Sequence, residues 1–171
     1  MTLTVRKARP TDAPAIAEIY NQGIAERIAT FETEPRSAEE LERRLEEHGE
    51  RFPTVVAELD ARVIGWAGAS PYSTRPCYAG IAEFSVYVDR DHRGTGVGRA
   101  TLSELLQACE QAGIWKVVSR IFPENRSSLR LCRRLGFREV GEYRRHARLD
   151  GRWRDVVIVE LLLGDAREAE D

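Results

Sequence analysis

Three glycines spaced two residues apart divide an apolar stretch from a stretch with helical spacing in the segment VYVDRDHRGTGVGRATL. Gly94, Gly96 and Gly98 lack a Cβ atom, so they can adopt positive φ angles and let a ligand lie directly on backbone N–H groups. A helix after them would add further N–H groups and a partial positive charge, and Arg93 and Arg99 add full charges. The pattern predicts a phosphate site and fits a diphosphate.

The spacing of these glycines argues against two common nucleotide-binding motifs. A P-loop requires GxxxxGK[ST], and no Lys follows any of the glycines. A dinucleotide-binding Rossmann loop requires GxGxxG and favours an acid about 20 residues further on. This loop reads GxGxG, and residues 118–121 read VSRI. Taken alone, the glycines are also compatible with a tight strand-to-helix turn.

One carboxylate lies inside the apolar stretch just before the glycines. In AEFSVYV, Glu83 shares its strand parity with Ser85 and Tyr87, whereas the other face is apolar. Burying a carboxylate costs free energy, and such groups often occur at functional sites. The pattern favours a functional role for Glu83, with a solvent-facing position as the alternative.

The elements that would position these residues follow from hydrophobic periodicity and capping signals. Strands are predicted over residues 2–8, 54–59, 63–69, 78–88, 116–121, 137–149 and 152–163, and helices over 11–23, 37–48, 98–112 and 126–135. SAEE at the start of the second helix is a capping box. DAR after the second strand and DG before the last strand predict hairpins.

This order predicts one α/β (α+β) domain over residues 1–164, followed by a polar tail over 165–171. The strand at 78–88, the helix at 98–112 and the strand at 116–121 form a βαβ unit, which makes these strands parallel and the crossover right-handed. The remaining strands form hairpins. We therefore expect a mixed, mostly antiparallel sheet with a central parallel βαβ unit and helices on both faces.

Composition restricts the classes of partner. The net charge is −2, so we expect no nucleic-acid partner, since such domains are usually basic. The longest apolar run is interrupted by Glu160 and is too short to span a bilayer, so we expect no membrane segment. The beginning of the chain lacks the apolar region of a signal peptide. Cys77, Cys109 and Cys132 are far apart, which predicts neither a disulfide framework nor a metal site, and we expect a cytoplasmic protein.

The glycine loop and a second motif together resemble the GCN5-related N-acetyltransferases (GNAT family) over about residues 3–163. RGTGVG after VYV, then a helix, a strand and PENRSSLRLCRRLGF, follow the order of that family. Its R/Q-x-x-G-x-G/A motif, which holds the pyrophosphate of acetyl-CoA, matches Arg93, Gly96 and Gly98. The resemblance implies that acetyl-CoA is bound by Val86, Tyr87, Val88, Arg93, Gly94, Thr95, Gly96, Val97, Gly98 and Arg99, with Asn125, Ser127 and Ser128 along the pantetheine arm.

Three further segments resemble the phosphinothricin acetyltransferases, and most of all their arsinothricin-resistance group. These are IYNQGIAERIATFETEPRS, ARVIGWAGASPYSTRPCY and GRWRDVVIVELLL. Members acetylate the free α-amine of small amino-acid toxins, such as phosphinothricin, arsinothricin or methionine sulfoximine, often as homodimers. The resemblance implies a homodimer here and an acceptor site at Phe31, Glu32, Arg75 and Tyr78. Trp153 and Asp155 resemble the branch's C-terminal hairpin, although Trp153 also suits the core of an interface.

The same resemblance assigns roles in catalysis. Glu83 aligns with a branch carboxylate that accepts the amine proton, directly or through water. Backbone N–H groups over residues 84–88 would hold the oxyanion. Many family members carry a Tyr, and the phosphinothricin enzymes a His, seven residues after the position of Asn125. Here that position is Cys132, and because a thiol is a poor acid, we expect it to be a small core residue, with a general acid as the alternative.

Other functions remain open at the level of sequence. Acetylation of a protein N-terminus or of lysine would favour an open acidic groove, whereas the loop before Glu83 carries Arg and aromatic residues. A non-catalytic acetyl-CoA sensor would not need Glu83. Nicotinamide binding is disfavoured by the GxGxG spacing.

Overall fold

The computed structural model describes residues 2–168, and the predicted fold class is confirmed. Seven strands form one sheet in the order β1-β2-β3-β4-β5-β7-β6. The strands are β1 (Leu3–Lys7), β2 (Thr54–Leu59), β3 (Arg62–Pro71), β4 (Ile81–Val88), β5 (Lys116–Ile121), β6 (Arg138–Leu149) and β7 (Arg152–Leu162). The helices are α1 (Ala13–Glu26), α2 (Ala38–His48), α3 (Val97–Gln111), α4 (Arg126–Arg134) and the short α5 (Asp165–Glu168).

Local chemistry explains most of these boundaries. Ser37 caps α2 through the predicted capping box, since its side chain accepts from the Glu40 N–H and the Glu40 side chain accepts from the Ser37 N–H. Both hairpin turns are two residues long with positive φ, at Asp60–Ala61 and at Asp150–Gly151. The first is one residue shorter than DAR predicts, because Arg62 already pairs with Leu59.

Several element starts also differ from prediction, and two of them bear on how the elements begin. The central strand begins at Ile81 rather than at residue 78, because Pro76–Tyr78 form a 3-10 turn. α1 begins after Asp12 rather than after Thr11. Of the predicted tail, residues 165–168 form α5, and residues 169–171 lie outside the described part of the chain. In that described part, no helix has the length and apolar character needed to span a membrane.

The two faces of the sheet carry separate cores. One face packs on α3 and α4 through fully or nearly buried residues that include Leu102, Leu105 and Leu129. The other face packs on α1 and α2, where Ile16, Ile24 and Leu41 are buried. The helices therefore cover both faces, as the βαβ unit predicts.

β4 and β5 pair only over a short length. The parallel ladder joins Ile81 with Lys116, Ala82 with Val117 and Glu83 with Val118. No later pair joins the two strands anywhere in residues 2–168. β5 instead continues along β7 as far as Ile121. A gap therefore opens in the sheet immediately after Glu83.

Candidate active site

The backbone of β4 beyond Glu83 faces this gap. The Asp89 N–H donates to Ile64 O on the β3 side, at 2.8 Å. On the opposite side, Phe84 O accepts from Ser119 Oγ on β5, at 3.1 Å. Because backbone groups alternate in direction along a strand, the N–H groups of Val86 and Val88 point into the gap. These are fixed donors in the place where an oxyanion or a ligand amide needs them.

The glycine loop lies at the open end of the gap. Gly94 and Gly96 have φ angles of +76° and +91°, a region that residues with a Cβ rarely adopt. The first backbone bond of α3 runs from Ala100 N to Gly96 O, at 3.0 Å. The N–H groups of Val97, Gly98 and Arg99 precede it, so they are available to an anion at the positive end of the helix.

A buried carboxylate fixes the beginning of this loop. Asp89 is 4% exposed, and its side chain accepts from Asp91 N at 3.1 Å and from Gln22 Nε2 at 3.1 Å. His92 Nδ1 lies 2.9 Å from its Oδ1. Burial alone would raise the pKa of Asp89, but the hydrogen bonds from His92 and Gln22 hold it below its usual value. The loop is thereby attached to α1 through Gln22.

A cavity of about 320 Å³ follows the loop and the gap. Eleven predicted cofactor residues line it: Val86, Tyr87, Val88, Arg93, Gly94, Gly96, Gly98, Arg99, Asn125, Ser127 and Ser128. The other two do not. Thr95 donates from its hydroxyl to His92 O at 2.6 Å, and Val97 is buried beside Ile64.

The Arg93 guanidinium at this cavity is held by protein groups. Its Nη1 donates to Glu26 Oε2 at 2.7 Å, and its Nε donates to Val88 O at 3.1 Å. Glu26, Arg130 and Arg134 also line the cavity, although sequence reasoning missed them. At the far side, Asn125 caps α4 by accepting from the Ser128 N–H at 3.3 Å. The cationic lining suits the diphosphate predicted from the loop.

A second cavity of about 340 Å³ adjoins the first and contains Glu83. Both cavities are lined by Ala29, Val86, Tyr87, Asn125 and Ser128. The Glu83 carboxylate lies 2.7 Å from the Arg120 guanidinium, and its side chain is 31% exposed. The structure thus places a carboxylate, the open β4 backbone and the phosphate loop around two cavities that share part of their walls.

Glu32 forms a second polar cluster in the Glu83 cavity. It accepts from the Tyr20 hydroxyl at 2.5 Å and pairs with Arg36. Burial alone would raise the pKa of Glu32, but hydrogen bonds from Arg36 and Tyr20 lower it on balance. Burial and the bond to Glu32 raise the pKa of Tyr20 to about 12. Phe31 lies beside these groups and packs edge-to-face on Phe122 at 4.8 Å.

Cys132 forms part of the cavity wall and of the hydrophobic core. It is 2% exposed, and burial, with a contribution from Glu139, raises the pKa of its thiol to about 12. A thiol of this kind is a weaker acid than free cysteine. The arrangement fits the packing role better than the role of proton donor.

The two remaining acceptor residues lie elsewhere. Arg75 and Tyr78 are in the turn before β4 and line neither cavity. The Arg75 guanidinium stacks over the Tyr78 ring at 5.5 Å. Trp153, on β7, is 52% exposed and stacks under Arg148, while Asp155 accepts from Arg145 N at 2.7 Å. Their roles in acceptor binding remain predictions.

Arg120 and Tyr20 are the principal residues of the Glu83 cavity that sequence reasoning missed. Arg120 shares the Glu83 face because Val118 pairs with Glu83 and side chains alternate along β5. The signal was the parallel register of β4 and β5, which the sequence does not determine. Tyr20 lies at helical spacing with Ile16 and Ile19, a pattern that indicates only a core position. In the described range 2–168, no group of three or more His, Cys, Asp or Glu residues could hold a metal ion.

The split sheet, the glycine loop and the adjoining carboxylate define an acetyl-transferring enzyme of the GNAT class. Residues 2–138 match the family model described as acetyltransferase (GNAT) domain, and the chain belongs to this family. It is accordingly an N-acetyltransferase.

Particular relatives refine this assignment. The phosphinothricin N-acetyltransferase of Streptomyces viridochromogenes is 34% identical, over 89% of this chain and 83% of its own. The L-methionine sulfoximine/L-methionine sulfone acetyltransferase of Salmonella typhimurium is 31% identical, over 95% and 96%. A GNAT superfamily phosphinothricin acetyltransferase from Sinorhizobium meliloti, solved in complex with AcCoA, superposes with a TM-score of 0.91 at 34% identity, over 99% and 93%.

Proposed function

We propose that this protein transfers the acetyl group of acetyl-CoA to the free α-amine of a small amino-acid toxin, such as phosphinothricin, arsinothricin or methionine sulfoximine. The observation that carries the proposal is that the cavity of the glycine loop and the cavity of Glu83 share lining residues at the β4–β5 gap. The names of the relatives support the class of acceptor. The modest size of the Glu83 cavity favours a small acceptor over a protein surface.

The residues present fit acetyl-CoA and the reaction. The loop N–H groups, Arg93 and Arg99 would hold the diphosphate, and the thioester would reach the gap beside β4. Glu83 accepts the proton of the incoming α-ammonium, so that a neutral amine can attack the thioester carbonyl. The Val86 N–H is a fixed donor for the oxyanion that forms. The C–N bond forms in this attack. The C–S bond then breaks, coenzyme A leaves as a thiolate, and the excess proton of the new amide nitrogen passes to that thiolate, directly or through water.

Release of coenzyme A, measured with a thiol reagent, tests this function. The acceptor panel contains phosphinothricin, arsinothricin, methionine sulfoximine, the common amino acids and a short peptide with a free N-terminus. We expect release with at least one toxin, and mass spectrometry should find the acetyl group on its α-amine. Release with the peptide alone would favour a protein N-acetyltransferase. Binding of acetyl-CoA without release to any acceptor would favour a sensor.

We also propose that the protein is a cytoplasmic homodimer. β6 is the outermost strand of the sheet and is exposed along most of its length, and Val140, Tyr143 and Trp153 are large exposed apolar residues of β6 and β7. An exposed edge strand of this kind is a surface that a second copy of the chain can cover. The cysteines of the described chain are free thiols, which suits a reducing compartment. Sedimentation should show a dimer that Trp153→Glu weakens, and a monomeric wild-type protein would contradict the proposal.

A further inference from the structure

Among the described residues 2–168, Arg120 is the only cationic side chain that lines the Glu83 cavity. Its Nη2 lies 2.7 Å from Glu83 Oε1, and its side chain remains 48% exposed. The second carboxylate of the cavity, Glu32, already has Arg36 and Tyr20 as partners. Glu83 and Arg120 therefore form an exposed pair of opposite charges in the reaction space.

An α-amino acid carries the complementary pair of charges on adjacent groups. Its ammonium needs a carboxylate that can accept a proton, and its carboxylate needs a cation. Arg is well suited to the second task, because its planar fork can give two parallel hydrogen bonds to one carboxylate. In the described structure, Arg120 makes its ion-pair contact with Glu83 and has no further hydrogen-bond partner among the protein groups of residues 2–168. Its other N–H groups are thus available to a ligand.

We propose that Arg120 binds the α-carboxylate of the acceptor and is the residue that makes this enzyme select amino acids over other amines. The inference rests on the proposed function and names a specificity-determining residue for it. Arg120 is on β5, and Glu83 is on the neighbouring strand β4. The ammonium of the acceptor then lies against Glu83, next to the N–H groups of β4 that face the gap. One bound zwitterion thus satisfies both members of the pair and places its nitrogen at the reaction centre.

The alternative role for Arg120 is to position Glu83 without touching the acceptor. Both roles require the contact between the Arg120 guanidinium and the Glu83 carboxylate, so this contact alone does not distinguish them. The two roles differ in what they do to an acceptor that lacks a carboxylate. A carboxylate-binding Arg affects acids alone, whereas a positioning Arg affects every amine.

The experiment compares each amino-acid acceptor with its α-carboxamide. Wild-type enzyme, Arg120→Gln, Arg120→Lys and the control Arg43→Gln are assayed, since Arg43 is an exposed residue of α2 that lines neither cavity. We expect Arg120→Gln to raise KM for the acid by roughly 10–100-fold, the loss of a charge-assisted hydrogen-bonded pair. KM for the carboxamide should change much less, so that the preference for the acid is lost. Arg120→Lys should keep part of it, and Arg43→Gln all of it.

Several outcomes would overturn the inference. An equal fall in kcat for acid and carboxamide, with KM unchanged, would make Arg120 a positioning residue. An unchanged preference in both Arg120 variants would assign the carboxylate to another group, such as Arg75. Retained affinity for acetyl-CoA shows that the variants are folded. If Arg120→Gln does not fold, the comparison of acid with carboxamide is made with Arg120→Lys. If the wild-type enzyme acetylates none of the acids, the proposed function itself is wrong.

Discussion

Glu83 is the last residue of β4 that pairs with β5. Its carboxylate therefore lies beside the part of the β4 backbone that the gap leaves open. Glu83→Gln keeps the size of the side chain and removes its basicity. We expect turnover at saturating acceptor to fall by roughly 10²–10⁴-fold, because a general base is lost. The coenzyme A release assay measures this. Affinity for acetyl-CoA should not change, since the glycine loop is intact.

The matched control for this variant is Glu18→Gln, an exposed residue of α1. It makes the same chemical change far from both cavities, and its turnover should equal that of the wild type. Near-normal turnover of Glu83→Gln would transfer the role of base to another group.

Cys132 provides a second test at this scale, since the same side chain forms core and cavity wall. We expect Cys132→Ala to keep its turnover and to lose about 1–3 kcal/mol of unfolding free energy, because a buried group is removed. Denaturant unfolding and the release assay measure the two effects. Cys109→Ala is the control, since Cys109 is fully buried in the same core and lines neither cavity. A loss of turnover in Cys132→Ala alone would indicate a proton donor.

Single residues were predictable from sequence only where their neighbours marked them. Glu83 interrupts an apolar stretch, so strand alternation alone indicates it as a candidate functional residue. Arg120 lies near the end of the strand KVVSRI, where an Arg-rich region begins, and nothing in that pattern distinguishes it from a solvated arginine. Its place opposite Glu83 depends on the strand register, which is set by packing of the whole sheet.

The two ends of α3 allow a controlled test of the glycine loop. Gly96 at the beginning and Gly113 after the end have φ angles of +91° and +80°, and a Cβ at either would meet nothing within 4 Å. Both Gly96→Ala and Gly113→Ala should therefore cost about 1–2 kcal/mol of stability through backbone strain alone. Gly96→Ala should in addition weaken acetyl-CoA binding by about tenfold or more, since the N–H groups of the loop around Gly96 would hold the diphosphate. Calorimetry measures both quantities.

An affinity for the coenzyme that stays at the wild-type value in both variants would show that the loop does not hold the diphosphate. Equal loss of affinity in both would indicate that strain in α3, rather than the cradle, disturbs the site.

Elements were predictable in order and type because their signals are local. The capping box at Ser37, the positive-φ turn at Asp150–Gly151 and the βαβ spacing each specify structure within a few residues. The early end of the β4–β5 ladder was not predictable, because it depends on how β5, which pairs with β7 from Lys116 to Ile121, diverges from β4 after Val118. The contact of Arg75, in the turn before β4, was not predictable either. The sequence gives no indication that its guanidinium stacks on the Tyr78 ring.

At the scale of the whole molecule, several ion pairs make stability depend on acid pH. Burial alone would raise the pKa of Asp12, but hydrogen bonds from Arg6 and from the Arg9 backbone together lower it below its ordinary 3.8. Lys116, opposed by burial and aided by Arg138, lowers the pKa of Glu160 below its ordinary 4.5. A group with a lowered folded pKa contributes stability that is present above its ordinary pKa and is lost as pH falls through the folded value. The unfolding free energy should therefore decline below about pH 4.5.

Asp12→Asn isolates one of these pairs. The Asp12 side chain is 9% exposed and lies 2.8 Å from the Arg6 guanidinium. The variant should lose about 1–3 kcal/mol at pH 7, the range for hydrogen bonds to charged groups, and should show a smaller further loss on acidification. Urea titrations at a series of pH values measure both. An identical acid profile in the variant and the wild type would contradict this role of the pair.

The short ladder between β4 and β5 also has a mechanical consequence. Within the described residues 2–168, only three residue pairs join the strands β1–β4 to the strands β5–β7 in the sheet. An extended ligand that carries amides of its own can bond to both sides of this seam and so complete it. The coenzyme would then serve as a brace as well as a reactant, and its departure would leave the two halves of the sheet freer to rotate against each other between turnovers.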